Sequence, residues 1–271
     1  MKKAVFFDID GTLIDIRKGH TKLTDPVKEA IKELRQAGHY AFIASGRPFA
    51  YLDEELLQPG LFNGFVLMNG ALVLADGKVL NDQPLPRETV QEIVGLCEQH
   101  NVQYVLEGKR EVYLRPEFDQ VRRFYVGIDV SLDNFVEEFE LDKIDVYKME
   151  FVCDNPGGNG LFERLLNWPG LTGLMDPAHL KNMELYATAV TKGSGIEQAL
   201  AKLKLPKEQS YAFGDGLNDL EMMDTVGTAL VMGNGQPELK EKADFIMPTV
   251  AEDGVAYGIE HYILGGGNVN A

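Results

Sequence analysis

The chain has 271 residues, 45% of them hydrophobic, and a net charge of −16 from 42 acidic and 26 basic side chains. That length supports one or two domains with a sizeable core. The acidic balance argues against nucleic acid or an anionic membrane as partner, because both need basic surface.

Ala4-Val5-Phe6-Phe7 reads as a short buried strand that runs into Asp8-Ile9-Asp10-Gly11-Thr12. Period-2 geometry places Asp8 and Asp10 on one face, and Gly11 permits a sharp turn. Thr24-Asp25-Pro26 opens a helix with Val27, Ala30, Ile31 and Leu34 on one stripe, ended by Gly38. His39–Ala44 is a second strand and stops at Ser45-Gly46-Arg47, which completes a βαβ unit. A second helix is expected over Pro48–Leu57. A third strand, Phe65–Met68, ends at Asn69-Gly70, and Asp76-Gly77 marks a hairpin.

The pattern changes at Pro84-Leu85-Pro86. From there to about 184, helices alternate with strand pairs, which reads as an inserted α+β domain. The first pattern resumes with a helix from Lys192. A strand over Ser210–Phe213 follows, ending in Gly214-Asp215-Gly216, then a short helix at Leu220–Met223 and strands at Ala229–Met232 and Phe245–Met247. Residues 1–83 and 185–271 are expected to form one discontinuous α/β domain, with 84–184 as the insert. The stretch from Gly265 reads as a frayed tail. Met1-Lys2-Lys3 with its short apolar run is too brief for a signal peptide, and no stretch is apolar enough to span a bilayer. Cys97 and Cys153 sit in apolar contexts and read as buried thiols of a reducing, cytoplasmic compartment.

Four clusters occupy the same position type, just past a strand end or at the start of the next helix: Asp8/Asp10, Ser45, Lys192 and Asp215/Asn218/Asp219. Parallel strands would bring them to one carboxyl edge, where open α/β sheets bind ligands. So many carboxylates repel one another unless a cation joins them. Oxygen donors without paired His or Cys favour Mg²⁺ over Zn²⁺. The five histidines, His20, His39, His100, His179 and His261, show no ligand spacing. Ser45, Lys192 and Asn218, with N–H groups near Gly11 and Gly46, suit a tetrahedral dianion. A carboxylate beside a phosphoryl group is a candidate nucleophile, and a second one serves as acid and base. Arg47 reads either as a substrate contact or as a brace for its loop. Asn69 reads as a substrate contact or as a turn residue. Trp168 reads as packing within the insert.

In this order, Asp8-Ile9-Asp10-Gly11-Thr12, Ser45, Lys192 and Gly214-Asp215-Gly216-Leu217-Asn218-Asp219 resemble the four motifs of the haloacid dehalogenase (HAD) superfamily. The insert, with Asn69-Gly70-Ala71 ahead of it and Thr191-Lys192-Gly193 behind it, looks like the Cof-type, subclass IIB sugar-phosphatase branch. The resemblance implies a Rossmann-like HAD core with a mainly parallel sheet, and a type IIB cap that closes over the site. It implies Asp8 as nucleophile, Asp10 as acid and base, and Mg²⁺ held by Asp8, Asp215 and the main-chain carbonyl of Asp10. Ser45, Lys192 and Asn218 would hold the phosphoryl group, Asp219 would orient Lys192 or metal-bound water, and Thr12 would stand behind these groups or touch the substrate. The expected substrate is a small phosphorylated metabolite, and the expected state a monomer or weak homo-oligomer. Two rivals share these features: a phosphomannomutase-like phosphotransferase, and a binding module without catalysis.

Overall fold

The computed structural model describes residues 1–127, 130–154, 158–175 and 181–265. His179, Asp129 and the glycines after Gly265 lie outside the described residues. In chain order the elements begin with β1 (Ala4–Phe7), α1 (Asp25–Gln36), β2 (Tyr40–Ala44), β3 (Gly64–Leu67), β4 (Leu72–Ala75) and β5 (Lys78–Asp82). Then come α2 (Arg87–His100), β6 (Gln103–Glu107), β7 (Val112–Tyr113), α3 (Asp119–Gly127), β8 (Phe135–Val136), β9 (Lys148–Val152), α4 (Gly158–Leu166), β10 (Leu171–Met175) and β11 (Asn182–Ala187). The chain ends through α5 (Lys192–Leu203), β12 (Ser210–Gly214), α6 (Leu220–Thr225), β13 (Thr228–Val231), α7 (Pro237–Lys240), β14 (Phe245–Ile246) and α8 (Gly254–Gly258), which continues as a π-helical stretch, Ile259–Leu264.

Two compact units emerge. The first comprises Met1–Gly46, Asp53–Asp82 and Thr191–Ala271; the second comprises Arg47–Leu52 and Gln83–Val190. The span 84–184 expected for the insert therefore stops inside β11, which is paired to β9 and β10 along its length. A boundary cannot fall there, because cutting β11 would orphan the ladder on both sides.

The first unit is built on an eight-stranded sheet of order β14-β13-β12-β1-β2-β3-β4-β5. From β14 to β3 the pairs are parallel, and β4 and β5 are antiparallel additions. Helices cover both faces, which is why β1 is apolar throughout rather than alternating. Phe6 and Ala4 point to the side of α5 and α6, among Ile196, Ala199 and Met222. Phe7 points the other way and stacks on Phe213, ring centroids 5.1 Å apart. Helix α1 starts where its sequence signals place it: the Thr24 hydroxyl accepts from Val27 N–H, and Val27, Ala30, Ile31 and Leu34 are buried. Asp76 and Gly77 both take positive φ, which gives the β4–β5 hairpin its tight turn.

The helix expected over Pro48–Leu57 does not form. A single 3₁₀ turn, Phe49–Tyr51, is followed by an extended Leu52. Ala50 and Tyr51 instead pack against Val105, Val112, Tyr125 and Phe135 of the second unit, so tertiary contacts override the helical pattern there. The C-terminal α8 and its π-helical extension carried no sequence signal strong enough to read.

The second unit has a six-stranded, mainly antiparallel sheet of order β10-β11-β9-β6-β7-β8. One face packs against α2 and α4 through Tyr104, Leu106, Met149, Phe151 and Phe162. Trp168 packs against this core, as its sequence context predicts. Cys97 and Cys153 are free, buried thiols of the same cluster. Burial pushes the Cys97 thiol well above its usual range, so it is inert at neutral pH.

Candidate active site

The site grows from the carboxyl ends of β1 and β12, which are neighbours in register, Phe7 opposite Phe213. Asp8 directly follows β1, and its N–H donates to Phe213 O at 3.0 Å. The chain then turns through Asp10 and Gly11, where Gly11 N–H donates to Ile14 O at 2.6 Å. Gly11 has φ of +89°, and a Cβ there would collide with the Asp215 carboxylate. Glycine is thus required twice over, for the turn and for the close approach. Thr12, buried, donates its hydroxyl to Asp215 Oδ1 at 3.3 Å.

Lys192 is the first residue of α5. A reciprocal cap holds that helix start: the Thr191 hydroxyl accepts from Ser194 N–H, and Ser194 Oγ accepts from Thr191 N–H. The cap aims Lys192 inward. Its ammonium donates to Asp8 Oδ1 at 2.6 Å and to Asp219 Oδ1 at 2.7 Å. Asp219 Oδ2 accepts from the N–H groups of Asp215 and Gly216 at 3.0 and 3.1 Å. Both Asp219 oxygens thus accept hydrogen bonds, one from Lys192 and the other from the turn.

Electrostatics follow from burial. Desolvation pushes Asp8 up, the Lys192 ammonium pulls it back, Asp219 pushes it further, and it settles at about 8. Asp215 rises to about 6, chiefly through burial and then the Asp219 charge, with the Thr12 hydrogen bond opposing. Burial alone would lower Lys192, but Asp219 and Asp8 outweigh it and raise the ammonium above its usual value.

Carboxylate oxygens of Asp8, Asp215 and Asp219 lie within 4.8 Å of one another. Such a donor set is all oxygen and carries more negative charge than one lysine offsets, so it fits a hard divalent cation. Asp219 is the most heavily hydrogen-bonded of the three, with Lys192 and two main-chain N–H groups on it.

The other expected residues are placed as follows. Asp10 is exposed next to the turn. Ser45 is buried just past β2; its N–H donates to Val66 O at 2.8 Å, and its carbonyl accepts from Asn69 N–H at 3.2 Å. Asn69 is itself buried, with φ of 56°, which fits the turn alternative. A Cβ on Gly46 would sit 3.0 Å from Asn69 Oδ1. Asn218 is exposed in the 3₁₀ turn Leu217–Asp219. Arg47 belongs to the second unit, where its Nη1 donates to Tyr51 O at 3.3 Å, in line with the bracing alternative.

One contributor escaped the sequence reading. Asn234 Nδ2 donates to Gly11 O at 2.7 Å, and Asn234 Oδ1 accepts from Val250 N–H at 3.1 Å. This clamps the turn behind Asp10. The signal was present as Gly233-Asn234-Gly235, another turn just past a strand end.

Aspartates and a buried lysine gathered at the carboxyl edge of a parallel sheet, with an α+β insert between Ser45 and Lys192 in the chain, define a class of hydrolase. Residues 5–259 match the model of the haloacid dehalogenase-like hydrolases, and the chain belongs to that family. YkrA of Bacillus subtilis strain 168, assigned as a phosphatase, is 29% identical over 267 residues, covering 95% of this chain and 96% of YkrA. A crystal structure of a protein from Geobacillus kaustophilus HTA426 is 30% identical, with a TM-score of 0.85 over 96% of this chain and 98% of that one. The HAD subclass IIB sugar phosphatase BT4131 is 27% identical, with a TM-score of 0.76 over 96% and 98% of the two chains. The fold is accordingly the HAD core with an inserted α+β domain. No helix among the described residues is long and apolar enough to cross a membrane.

Proposed function

We propose that this protein is a Mg²⁺-dependent phosphomonoesterase that acts on small phosphorylated metabolites, sugar phosphates foremost, through an aspartyl-phosphate on Asp8. The observation that carries the reading is the Lys192 ammonium, buried and bonded at once to Asp8 and Asp219. A fixed cation beside a nucleophilic carboxylate is what a transferring phosphoryl group requires. Likeness to the sugar phosphatase BT4131 supports the substrate class.

An Asp8 oxygen attacks phosphorus as the bond to the leaving oxygen breaks, and Asp10 gives that oxygen its proton. Asp10 then takes a proton from water, whose oxygen attacks the same phosphorus. The bond to Asp8 breaks, the carboxylate returns, and inorganic phosphate leaves. Lys192 opposes the charge on the phosphoryl oxygens. Ser45, Asn218 and N–H groups near Gly11 and Gly46 hold their directions. Asp8, Asp215 and the Asp10 carbonyl would hold Mg²⁺, which would supply positive charge to offset that of the phosphoryl group. Asn234 and Thr12 keep the turn and Asp215 in place. The same reading has the protein as a monomer or weak homo-oligomer in the cytoplasm, a compartment that the buried free thiols support, without nucleic-acid or membrane partners, which the net charge of −16 supports.

Phosphate release from a panel of sugar phosphates, with Mg²⁺ or with EDTA, tests this. Release should need the metal and should fall at least about 10³-fold in Asp8→Asn. Release that survives Asp8→Asn would sink the nucleophile assignment. An isomerised hexose phosphate in place of free phosphate would establish the phosphotransferase instead.

A further inference from the structure

Residues Arg47–Leu52 belong to the second unit, although the chain on either side, Met1–Gly46 and Asp53–Asp82, belongs to the first. They form a strap whose two ends continue into the first unit and whose body is packed in the second. The packing is specific. Asn134 Nδ2 donates to Ala50 O at 3.0 Å. The Tyr51 ring lies 5.5 Å from Tyr125 and 5.7 Å from Phe135, stacked on the latter. The Arg110 guanidinium sits 4.9 Å above the Phe49 ring. Ala50 is buried in the cluster of Val105, Val112 and Tyr125. A plain surface turn has no need of Phe-Ala-Tyr anchored in this way.

The chain passes between the units at 46/47, 52/53, 82/83 and 190/191. Two of these crossings flank the residues that the proposed chemistry needs for the phosphoryl group. Ser45 stands two positions before Arg47, and Lys192 two positions after Val190. The Ser45 main chain bonds to Val66 O and Asn69 N–H on the first-unit side and continues directly into the strap on the other. Two residues span about 7 Å at most, and one intervening residue, Gly46, separates Ser45 from the strap. Gly46 is the joint, and a Cβ there would sit 3.0 Å from Asn69 Oδ1.

We propose that residues 47–52 are a positioning strap: packing in the second unit, through Tyr51 and Asn134, sets the placement of Ser45 and so the grip on the phosphoryl group. The proposal rests on the phosphatase reading above. Its consequence is that residues which touch no phosphate nonetheless tune phosphate affinity.

The test uses the full chain with p-nitrophenyl phosphate as substrate and inorganic orthovanadate as inhibitor. Vanadate reads the phosphate site with no leaving group present. Tyr51→Ala and Asn134→Ala should each raise the vanadate inhibition constant about fivefold. Tyr51→Phe, which keeps the stacked ring, should restore the wild-type value. Lys181→Ala removes an exposed ion pair with Asp154 in the same unit, and should change nothing. Vanadate inhibition within twofold of wild type in Asn134→Ala overturns the proposal, even if Tyr51→Ala fails to fold. Wild-type protein that neither hydrolyses p-nitrophenyl phosphate nor responds to vanadate overturns the phosphatase reading, and the strap proposal falls with it. Wild-type turnover with unresponsive variants overturns the strap alone.

Discussion

Lys192 in the first unit and Lys148 in the second are 1% and 3% exposed, and carboxylates hold both. Lys192 meets Asp8 and Asp219 at 2.6 and 2.7 Å. Lys148 meets Glu107, Glu150 and Glu184 at 3.1 Å each. In both places burial opposes the ammonium, and the neighbouring carboxylates overcome that and raise it. The difference lies in where the charges enter. Lys192 and its partners come from turns and a helix start beyond strand ends, next to main-chain N–H groups and glycines. The Lys148 group projects from residues within paired strands, in register across β6, β9 and β11: Glu107 opposite Lys148, and Glu150 opposite Glu184.

The consequences diverge. In the Lys148 group the buried carboxylates are pushed in opposite directions. Burial pushes Glu107 well up despite the pull of Lys148, whereas Glu150 ends low because Lys148 and its hydrogen bond from the Tyr125 hydroxyl overcome its burial. At the Lys192 site, Asp8 and Asp215 are both left raised and in reach of a shared cation. A buried lysine among acids is therefore a poor sign of reactivity by itself. Its place at the carboxyl edge of a parallel sheet is the better one.

Exchanging the two lysines' fates tests the contrast most sharply. Lys192→Met should cost about 10²–10³-fold in kcat/KM, because the proposed function sets this charge against the transferring group. Steady-state kinetics on the folded variant checks this, and near-normal turnover would break the comparison. Lys148→Met should leave kcat of the folded protein close to wild type but destabilise it by about 3–5 kcal/mol, since it strands buried carboxylates. Urea unfolding measures the loss; a large drop in kcat with unchanged stability would mean that Lys148 belongs to the chemistry.

A smaller effect concerns Glu107. Its folded pKa lies above the unfolded value, so between those two values the native state binds the extra proton. Stability then falls as pH rises past the ordinary glutamate range, by up to about 1.4 kcal/mol per pH unit for one proton. Glu107→Gln mimics the protonated form and should flatten that slope. Unfolding curves from pH 5 to pH 8 decide it, and an unchanged slope would assign the proton elsewhere.

Much of the site was legible because its signals are short-range. Asp8-x-Asp10-Gly11 after four apolar residues, and Gly214-Asp215-Gly216 after another apolar run, mark strand ends by period and turn chemistry alone. Lys148 and Glu150 also left a trace, since alternation in Lys-Met-Glu-Phe-Val puts both on one face of a strand. Without the partner strands that trace looks like an ordinary solvated face. Asn234 was missed because its partner, Gly11 O, is 223 positions away.

The order of strand-end clusters, the α/β alternation and the acidic balance are properties of the sequence alone, because each rests on residue type and spacing over a few positions. Which oxygen meets which donor came only from the tertiary structure. Asp219 became a holder of Lys192, Arg47–Leu52 joined the second unit, and β11 ran past the expected boundary. Those outcomes depend on sheet order and on contacts between residues far apart in the chain, which no local pattern encodes.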